Sequence, residues 1–174
     1  MPLRVLLSEE QILKRVQEMG RQIAADYPDG KLYLVCILKG ACFFLSDLAR
    51  AIPREVFIEF MGVSSYGTAK QTSGEVRVTK DIDVKLEDAH VLIVEDIVDS
   101  GVTLSYLLEV MKARKPRSLR ITALLDKPER RQRPVQVSYV GFEIPDEFVV
   151  GYGLDYAERY RNLRDVCVLE AELD

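Results

Sequence analysis

The chain has 174 residues, 48% of them hydrophobic, enough to bury a core as one domain and too few for a comfortable second. Its 24 basic and 28 acidic residues leave a net charge of -4, which gives no general electrostatic reason to bind nucleic acid or an anionic membrane. No apolar run approaches a bilayer span, and MPLRVLLSEEQ lacks a signal peptide's sustained apolar stretch and cleavage site, so the expectation is a soluble cytoplasmic protein.

Ser8 followed by Gln11 has the form of a capping box, and Ile12, Leu13, Val16, Met19 and Ile23 then recur at helical spacing. An amphipathic helix is expected there, ending near Tyr27-Pro28-Asp29-Gly30. KLYLVCIL (31–38) is a buried-strand run, Lys39-Gly40 a turn, and ACFFLSDLARAI (41–52) a helix stopped by Pro53. REVFIEFM (54–61) is a second strand. The polar, small-residue stretch GVSSYGTAKQTSGE (62–75) has no apolar periodicity and reads as a mobile loop, from which VRVTKDIDV (76–84) returns as a second arm.

VLIVE (91–95) is a fully buried strand, and a helix follows from about Val102 through Leu104, Leu107, Leu108 and Met111 to Lys115-Pro116. SLRITALLDK (118–127) supplies another strand, PERRQRP (128–134) a basic loop, and VQVSYVGFEI (135–144) and VCVLE (166–170) the last clear strands. Strands alternating with helices imply a parallel sheet with right-handed crossovers, whose ligands gather at the carboxyl ends of its strands. Those ends carry Leu38-Lys39-Gly40, Glu95-Asp96 and Asp126-Lys127.

The cysteines, Cys36, Cys42 and Cys167, are odd in number and lack metal-type spacing, and His90 is the single histidine. Cys36 and Cys167 fall in expected strands and read as buried thiols. Chemistry must therefore rest mainly on carboxylates, lysine, hydroxyls and backbone amides.

The stretch VLIVEDIVDSGVTL (91–104) concentrates those groups. DSGVT lies between a strand and a helix start, so its amides can converge on a phosphate with help from the Ser100 and Thr103 hydroxyls, and Gly101 permits a close approach. It is shorter than a nucleotide-hydrolase P-loop and has no lysine before the threonine. Glu95 and Asp96 would repel one another unless they shared Mg²⁺ or the hydroxyls of a ribose. Asp99 stands beside the anion cradle as a candidate general base. A phosphorylated ribose with a second phosphate group would satisfy all three features.

A hydrophobic strand, two acidic residues and a small-residue phosphate loop in this order resemble the hallmark of the type I phosphoribosyltransferases. LKG (38–40), SSYG (64–67), Lys127 after ALLD, and GFEIPDEFVVGYGLDYAERYRNL (141–163) narrow the resemblance to the hypoxanthine-guanine phosphoribosyltransferase family. It runs from about residue 31 over most of the chain. It implies one domain over 1–174 with that α/β fold: a central, mainly parallel twisted sheet flanked by helices, a small hood from the N- and C-terminal segments, and a flexible loop at about 62–75.

The implied reaction transfers the phosphoribosyl group of 5-phosphoribosyl-1-pyrophosphate (PRPP) to hypoxanthine or guanine, giving IMP or GMP and pyrophosphate, with Mg²⁺. By the family pattern Glu95 and Asp96 hold the ribose hydroxyls, partly through Mg²⁺, and Asp99 accepts the purine N7 proton. Asp99, Ser100, Gly101, Val102 and Thr103 wrap the 5′-phosphate, Val102 through its amide alone. Lys39 and Gly40 form a pyrophosphate loop with a cis bond implied at Leu38-Lys39, Asp155 carries a second Mg²⁺, and Arg161 binds pyrophosphate. Lys127 donates to purine O6, Phe148 stacks on the ring, and the Val149 backbone meets its Watson-Crick edge. Ser65 and Tyr66 belong to the closing loop, while Tyr156 and Arg159 are expected to be structural or interfacial. A homodimer or homotetramer is implied, with no nucleic-acid or membrane partner.

Three other readings stand beside this one. A regulatory RNA-binding protein on the same fold is disfavoured by Asp99, Lys127, Phe148 and Asp155. An adenine enzyme is disfavoured by Lys127, whereas xanthine against guanine stays open. A Mg²⁺-dependent nucleotide sensor would bind PRPP and release no pyrophosphate.

Overall fold

The computed structural model of the chain describes residues 2–68 and 71–170, the side chains of 65–75 excepted. Its larger sheet has six strands: β2 (Leu32–Leu38), β3 (Phe57–Thr68), β4 (Gln71–Lys80), β5 (His90–Val98), β6 (Ser118–Asp126) and β7 (Tyr139–Glu143), in the spatial order β4-β3-β2-β5-β6-β7. All neighbours run parallel except β3 and β4, which form an antiparallel arm. The α-helices among the described residues are α1 (Glu9–Asp26), α2 (Cys42–Ala51) and α3 (Val102–Lys112).

Alternation along the central strands assigns the helices to faces. Leu32, Leu34 and Cys36 of β2 join Leu92 and Val94 of β5 in one core with Ile12, Val16, Met19 and Ile23 of α1 and Phe44, Leu45 and Leu48 of α2. Tyr33, Val35 and Ile37 join Val91 and Ile93 in a second core with Leu104, Leu107 and Met111 of α3. A strand covered on both faces has apolar residues at every position, which is why LYLVCIL and VLIV read as unbroken runs. Each such side chain contributes about 1.5–3 kcal/mol by leaving water.

Helix α1 begins where the sequence indicates. The Ser8 hydroxyl accepts from the Gln11 amide at 3.2 Å and the Gln11 side chain accepts from the Ser8 amide at 2.8 Å, a reciprocal cap worth about 1 kcal/mol. Leu13, placed on the apolar stripe by spacing, is 39% exposed at its edge. Cys36 and Cys167 are buried and Cys42 is exposed, all three as free thiols.

A smaller antiparallel sheet, in the order β1-β9-β8, joins the two ends of the chain: β1 (Leu3–Leu7), β9 (Val166–Leu169) and β8 (Val149–Val150). The hood implied by the resemblance corresponds to this sheet. Residues 62–75 correct the loop expectation, because β3 continues to Thr68 and β4 begins at Gln71, with Ser64 opposite Arg77 and Gly67 opposite Thr72. The two strands are joined by antiparallel backbone pairing, which requires no apolar alternation. The segment 135–144 likewise forms less strand than its alternation suggests, pairing only over Tyr139–Glu143.

Helices α1 and α2 meet at a glycine. A Cβ on Gly20 would lie 2.3 Å from the Ala51 carbonyl oxygen, a backbone atom that moves only with the helix. Gly20→Ala should therefore destabilise by about 1–3 kcal/mol net of its better helix propensity. Thermal melting checks this: Tm should fall by about 2–4 °C per kcal/mol. An unchanged or higher Tm would show that α2 can yield.

Candidate active site

The ends of β2 and β5 open into one site. A cavity of about 260 Å³ is lined by Leu38 and Gly40 after β2, by Glu95, Asp96 and Asp99 of β5 and its loop, and by Ser100, Gly101 and Thr103 at the start of α3. The structure thus brings the β2 turn, the acidic pair and the small-residue loop together.

Glu95 is buried and Asp96 half-buried in the floor of this cavity. Burial, followed by the adjacent Asp96 charge, pushes the Glu95 carboxyl well above the usual glutamate range. Asp96 is also raised by burial, against the relief of the Ile97 amide, which donates to Asp96 Oδ1 at 2.7 Å, and of the Arg161 charge. Among the described residues neither carboxylate makes an ion pair within 4 Å, and no group of three or more His, Cys, Asp or Glu is placed to hold a metal ion. Two carboxylates under mutual repulsion suit Mg²⁺, which takes one or two protein oxygens and completes its shell with water and phosphate.

The Leu38–Lys39 peptide is cis, as the resemblance implies. Gly40 is held so closely that a Cβ there would sit 1.9 Å from Asp96 Oδ2, and one on Gly153 would sit 2.1 Å from the Gly40 carbonyl oxygen. Beyond this contact Lys39, Asp155 and Arg161 converge. Arg161 donates to the Gly153 carbonyl at 2.7 Å and lies 3.5 Å from Asp155, whose other oxygen accepts from the Glu158 amide at 2.9 Å. Glu158 pairs with both Lys39 (3.3 Å) and Arg161 (3.2 Å). These charges hold its carboxyl below the usual range, Arg161 contributing first. Glu158 thus stands between two cations.

The phosphate loop is oriented from behind. Arg131 donates to the Asp99 carbonyl at 2.8 Å, and the amides of Gln132 and Arg133 both donate to the Ser100 carbonyl, at 2.8 and 3.1 Å. The carbonyls of Asp99 and Ser100 are thus both engaged by the basic loop. Gly101 has φ 83°, and a Cβ there would come 2.6 Å from the Arg133 carbonyl oxygen, so both conformation and space call for glycine. The Ser100 hydroxyl accepts from the Val102 amide at 3.3 Å, and Val102 opens α3.

Lys127 follows β6, is 7% exposed, and donates its amide to the Val98 carbonyl at 2.9 Å, next to Asp99. Its ammonium faces Asp146 at 3.8 Å. Phe148 is 52% exposed, an open aromatic surface braced edge-on by Tyr156 at a centroid distance of 5.8 Å. Val149 is buried in β8 opposite Val168. The side chains of Ser65 and Tyr66 lie outside the described residues.

Four contributors escaped sequence reasoning: Glu158, Arg130, Asp146 and the bracing role of Tyr156. Arg130 donates to Asp99 Oδ1 at 2.8 Å and lies 3.6 Å from Asp146. The signal available for Arg130 was the charge run PERRQRP, which reads equally as a solvated loop.

A mainly parallel sheet with an acidic strand end, a small-residue loop before a helix and a second, small antiparallel sheet defines an α/β domain with its cavity at the carboxyl ends of the strands. The chain belongs to the phosphoribosyl transferase domain family, which it matches over residues 5–157. It is 50% identical over 167 residues to the hypoxanthine-guanine phosphoribosyltransferase of Bacillus subtilis, covering 96% of this chain and 93% of that protein. It is 52% identical over 172 residues to the enzyme of the same name from Mycobacterium avium, covering 95% and 85%. Among solved structures, a hypoxanthine phosphoribosyltransferase from Staphylococcus aureus superposes with a TM-score of 0.93 at 47% identity, over 96% of this chain and 91% of that one. The fold is that of the type I phosphoribosyltransferases.

The acidic pair also has a cost in the free chain. Because the Glu95 carboxyl is raised, its contribution to stability is full below the ordinary glutamate range and is lost as pH rises through the raised value. Glu95→Gln, uncharged throughout, should melt several degrees above the parent in mildly alkaline buffer without substrate or Mg²⁺, and the gap should close on acidification. A constant gap, or a lower Tm for the variant, would remove the electrostatic penalty from the account.

Proposed function

We propose that the chain transfers the 5-phosphoribosyl group of PRPP to hypoxanthine or guanine, yielding IMP or GMP and pyrophosphate, as a Mg²⁺-dependent enzyme of purine salvage. The observation that carries this reading is the single cavity in which the acidic pair Glu95-Asp96 meets Gly40 and the small-residue loop Asp99–Thr103, with the buried Lys127 tied by its amide to the Val98 carbonyl one residue before Asp99. Identity near 50% with enzymes named for this activity supports it.

The purine ring nitrogen forms a bond to C1 of the sugar as the bond from C1 to the pyrophosphate oxygen breaks. Charge builds on the leaving group and oxocarbenium character on the sugar, as in glycoside chemistry. Asp99 accepts the purine N7 proton. Lys127 donates to O6, a contact that adenine, with an amino group there, cannot accept. Phe148 stacks on the ring, while the Val149 backbone faces its Watson-Crick edge.

The amides and hydroxyls of residues 99–103 hold the 5′-phosphate at the start of α3. Lys39, Gly40 and Arg161 hold pyrophosphate, which displaces the Glu158 carboxylate from its two cations. Arg161 suits the role through its planar set of donors. Glu95 and Asp96, with substrate oxygens, and Asp155, with pyrophosphate, would hold Mg²⁺, which when bound supplies positive charge against the leaving group. Ser65 and Tyr66 belong to the arm that closes over the reaction and keeps water from the sugar cation.

In this reading residues 1–174 form one catalytic domain, with the small sheet as its hood, assembled as a homodimer or homotetramer in the cytoplasm. Among the described residues no helix is long and apolar enough to cross a membrane.

A pyrophosphate-release assay with PRPP, Mg²⁺ and a panel of hypoxanthine, guanine, xanthine, adenine and uracil tests the activity. Release with hypoxanthine or guanine and none with adenine or uracil is expected; Mg²⁺-dependent PRPP binding without release from any base would point to a sensor. Asp99→Asn should keep PRPP affinity and lose about 10²–10⁴ in rate. Lys127→Ala should erase much of a discrimination against adenine that can reach about 10⁴, and unchanged selectivity would mean that another group reads O6.

A further inference from the structure

The basic loop after β6 contains one charge whose placement neither the phosphate loop nor Lys127 explains. Arg130 closes the 3-10 turn Pro128–Arg130, its amide donating to the Lys127 carbonyl at 3.1 Å. Its Nε donates to Asp99 Oδ1 at 2.8 Å, and its Nη1 lies 3.6 Å from Asp146 Oδ2. The other oxygen of Asp146 faces the Lys127 ammonium at 3.8 Å. Four charges therefore alternate in sign along one line: Asp99, Arg130, Asp146, Lys127. The backbone bond from the Lys127 amide to the Val98 carbonyl closes that line into a ring.

We propose that Arg130 is a positioning residue of the purine pocket, which fixes the Asp99 carboxylate at a set separation from the Lys127 ammonium through their shared neighbour Asp146. The inference rests on the reading of Asp99 and Lys127 given above. N7 and O6 lie on the same edge of a 6-oxopurine, so an acceptor for one and a donor for the other must keep a fixed distance. Arg130 engages Asp99 through Oδ1, which leaves Oδ2 to accept the N7 proton. A guanidinium can meet two carboxylates along two directions of one rigid plane; a lysine in its place would offer a single mobile point.

Exposure separates this role from a structural one. The side chains of Asp99, Arg130 and Asp146 are 45%, 48% and 46% exposed. Ion pairs so open to water add little to folding stability. Removing Arg130 should leave the fold intact and loosen the pocket.

The test is a double-mutant cycle with purified full-length protein, read as kcat, as KM for hypoxanthine and for PRPP, and as Tm. Arg130→Ala should lower kcat/KM for hypoxanthine about tenfold, the scale of one charge-assisted hydrogen bond, with KM for PRPP and Tm unchanged. In an Asp99→Asn background the same substitution should cost nothing further in kcat. Asp146→Asn, which breaks the line on its other side, should raise KM for hypoxanthine and leave KM for PRPP alone. Equal losses from Arg130→Ala in both backgrounds, an equal change in KM for PRPP, or unaltered kinetics would overturn the proposal. An Asp99→Asn enzyme that turns over at the parental rate is a different result, since it would remove the base assignment on which the proposal depends.

Discussion

Glu95 and Asp96 stand side by side where the central strand leaves the core, and among the described residues no cation pairs with either. Adjacent carboxylates withdrawn from water are held only if the surrounding structure over-determines them. Here β2 and β6 clamp β5 on both sides, and apolar residues cover both of its faces. The hydrophobic core thereby offsets an electrostatic penalty at its edge. A divalent cation bound by the pair would relieve that penalty.

The rest of the site is arranged around this pair by close backbone contact. Gly40 lies against Asp96 and Gly153 against Gly40, so the β2 turn and the segment carrying Asp155 and Arg161 cannot move independently of the acidic strand end. On the other side the basic loop holds the carbonyls of Asp99 and Ser100. Glu158, an exposed and weakly held anion, bridges Lys39 and Arg161 and keeps the two cations together.

What the sequence revealed follows from how local each feature is. The helix cap at Ser8, the apolar runs of β2 and β5, and the strand-turn-helix character of VLIVEDIVDSGVTL are all set by neighbouring residues, and the structure reproduces them. The returning arm expected at 76–84 is seen in β4, but the extent of the β3–β4 pairing was hidden because residues 62–75 lack alternation and pairing between polar strands leaves no hydrophobic trace. Strand β1 is short and gains its partner only from the far end of the chain, pairing Leu3 with Leu169, and β8 is only Val149–Val150. Glu158 and Arg130 act through residues 119 and 31 positions away, distances at which no pattern in a single sequence connects them. Lys127 and Phe148 acquired roles only through resemblance; alone, one reads as a solvated charge and the other as part of a core strand.

The central claim is that the Glu95–Asp96 pair binds the phosphorylated sugar through a shared cation. Titration calorimetry of PRPP into the parent chain and into a Glu95→Gln/Asp96→Asn variant, each with and without Mg²⁺, tests it most directly. The account predicts binding to the parent that strengthens markedly with Mg²⁺ and a variant whose weaker binding loses that dependence. Equal PRPP affinity in the parent with and without Mg²⁺, or an undiminished Mg²⁺ dependence in the variant, would contradict it.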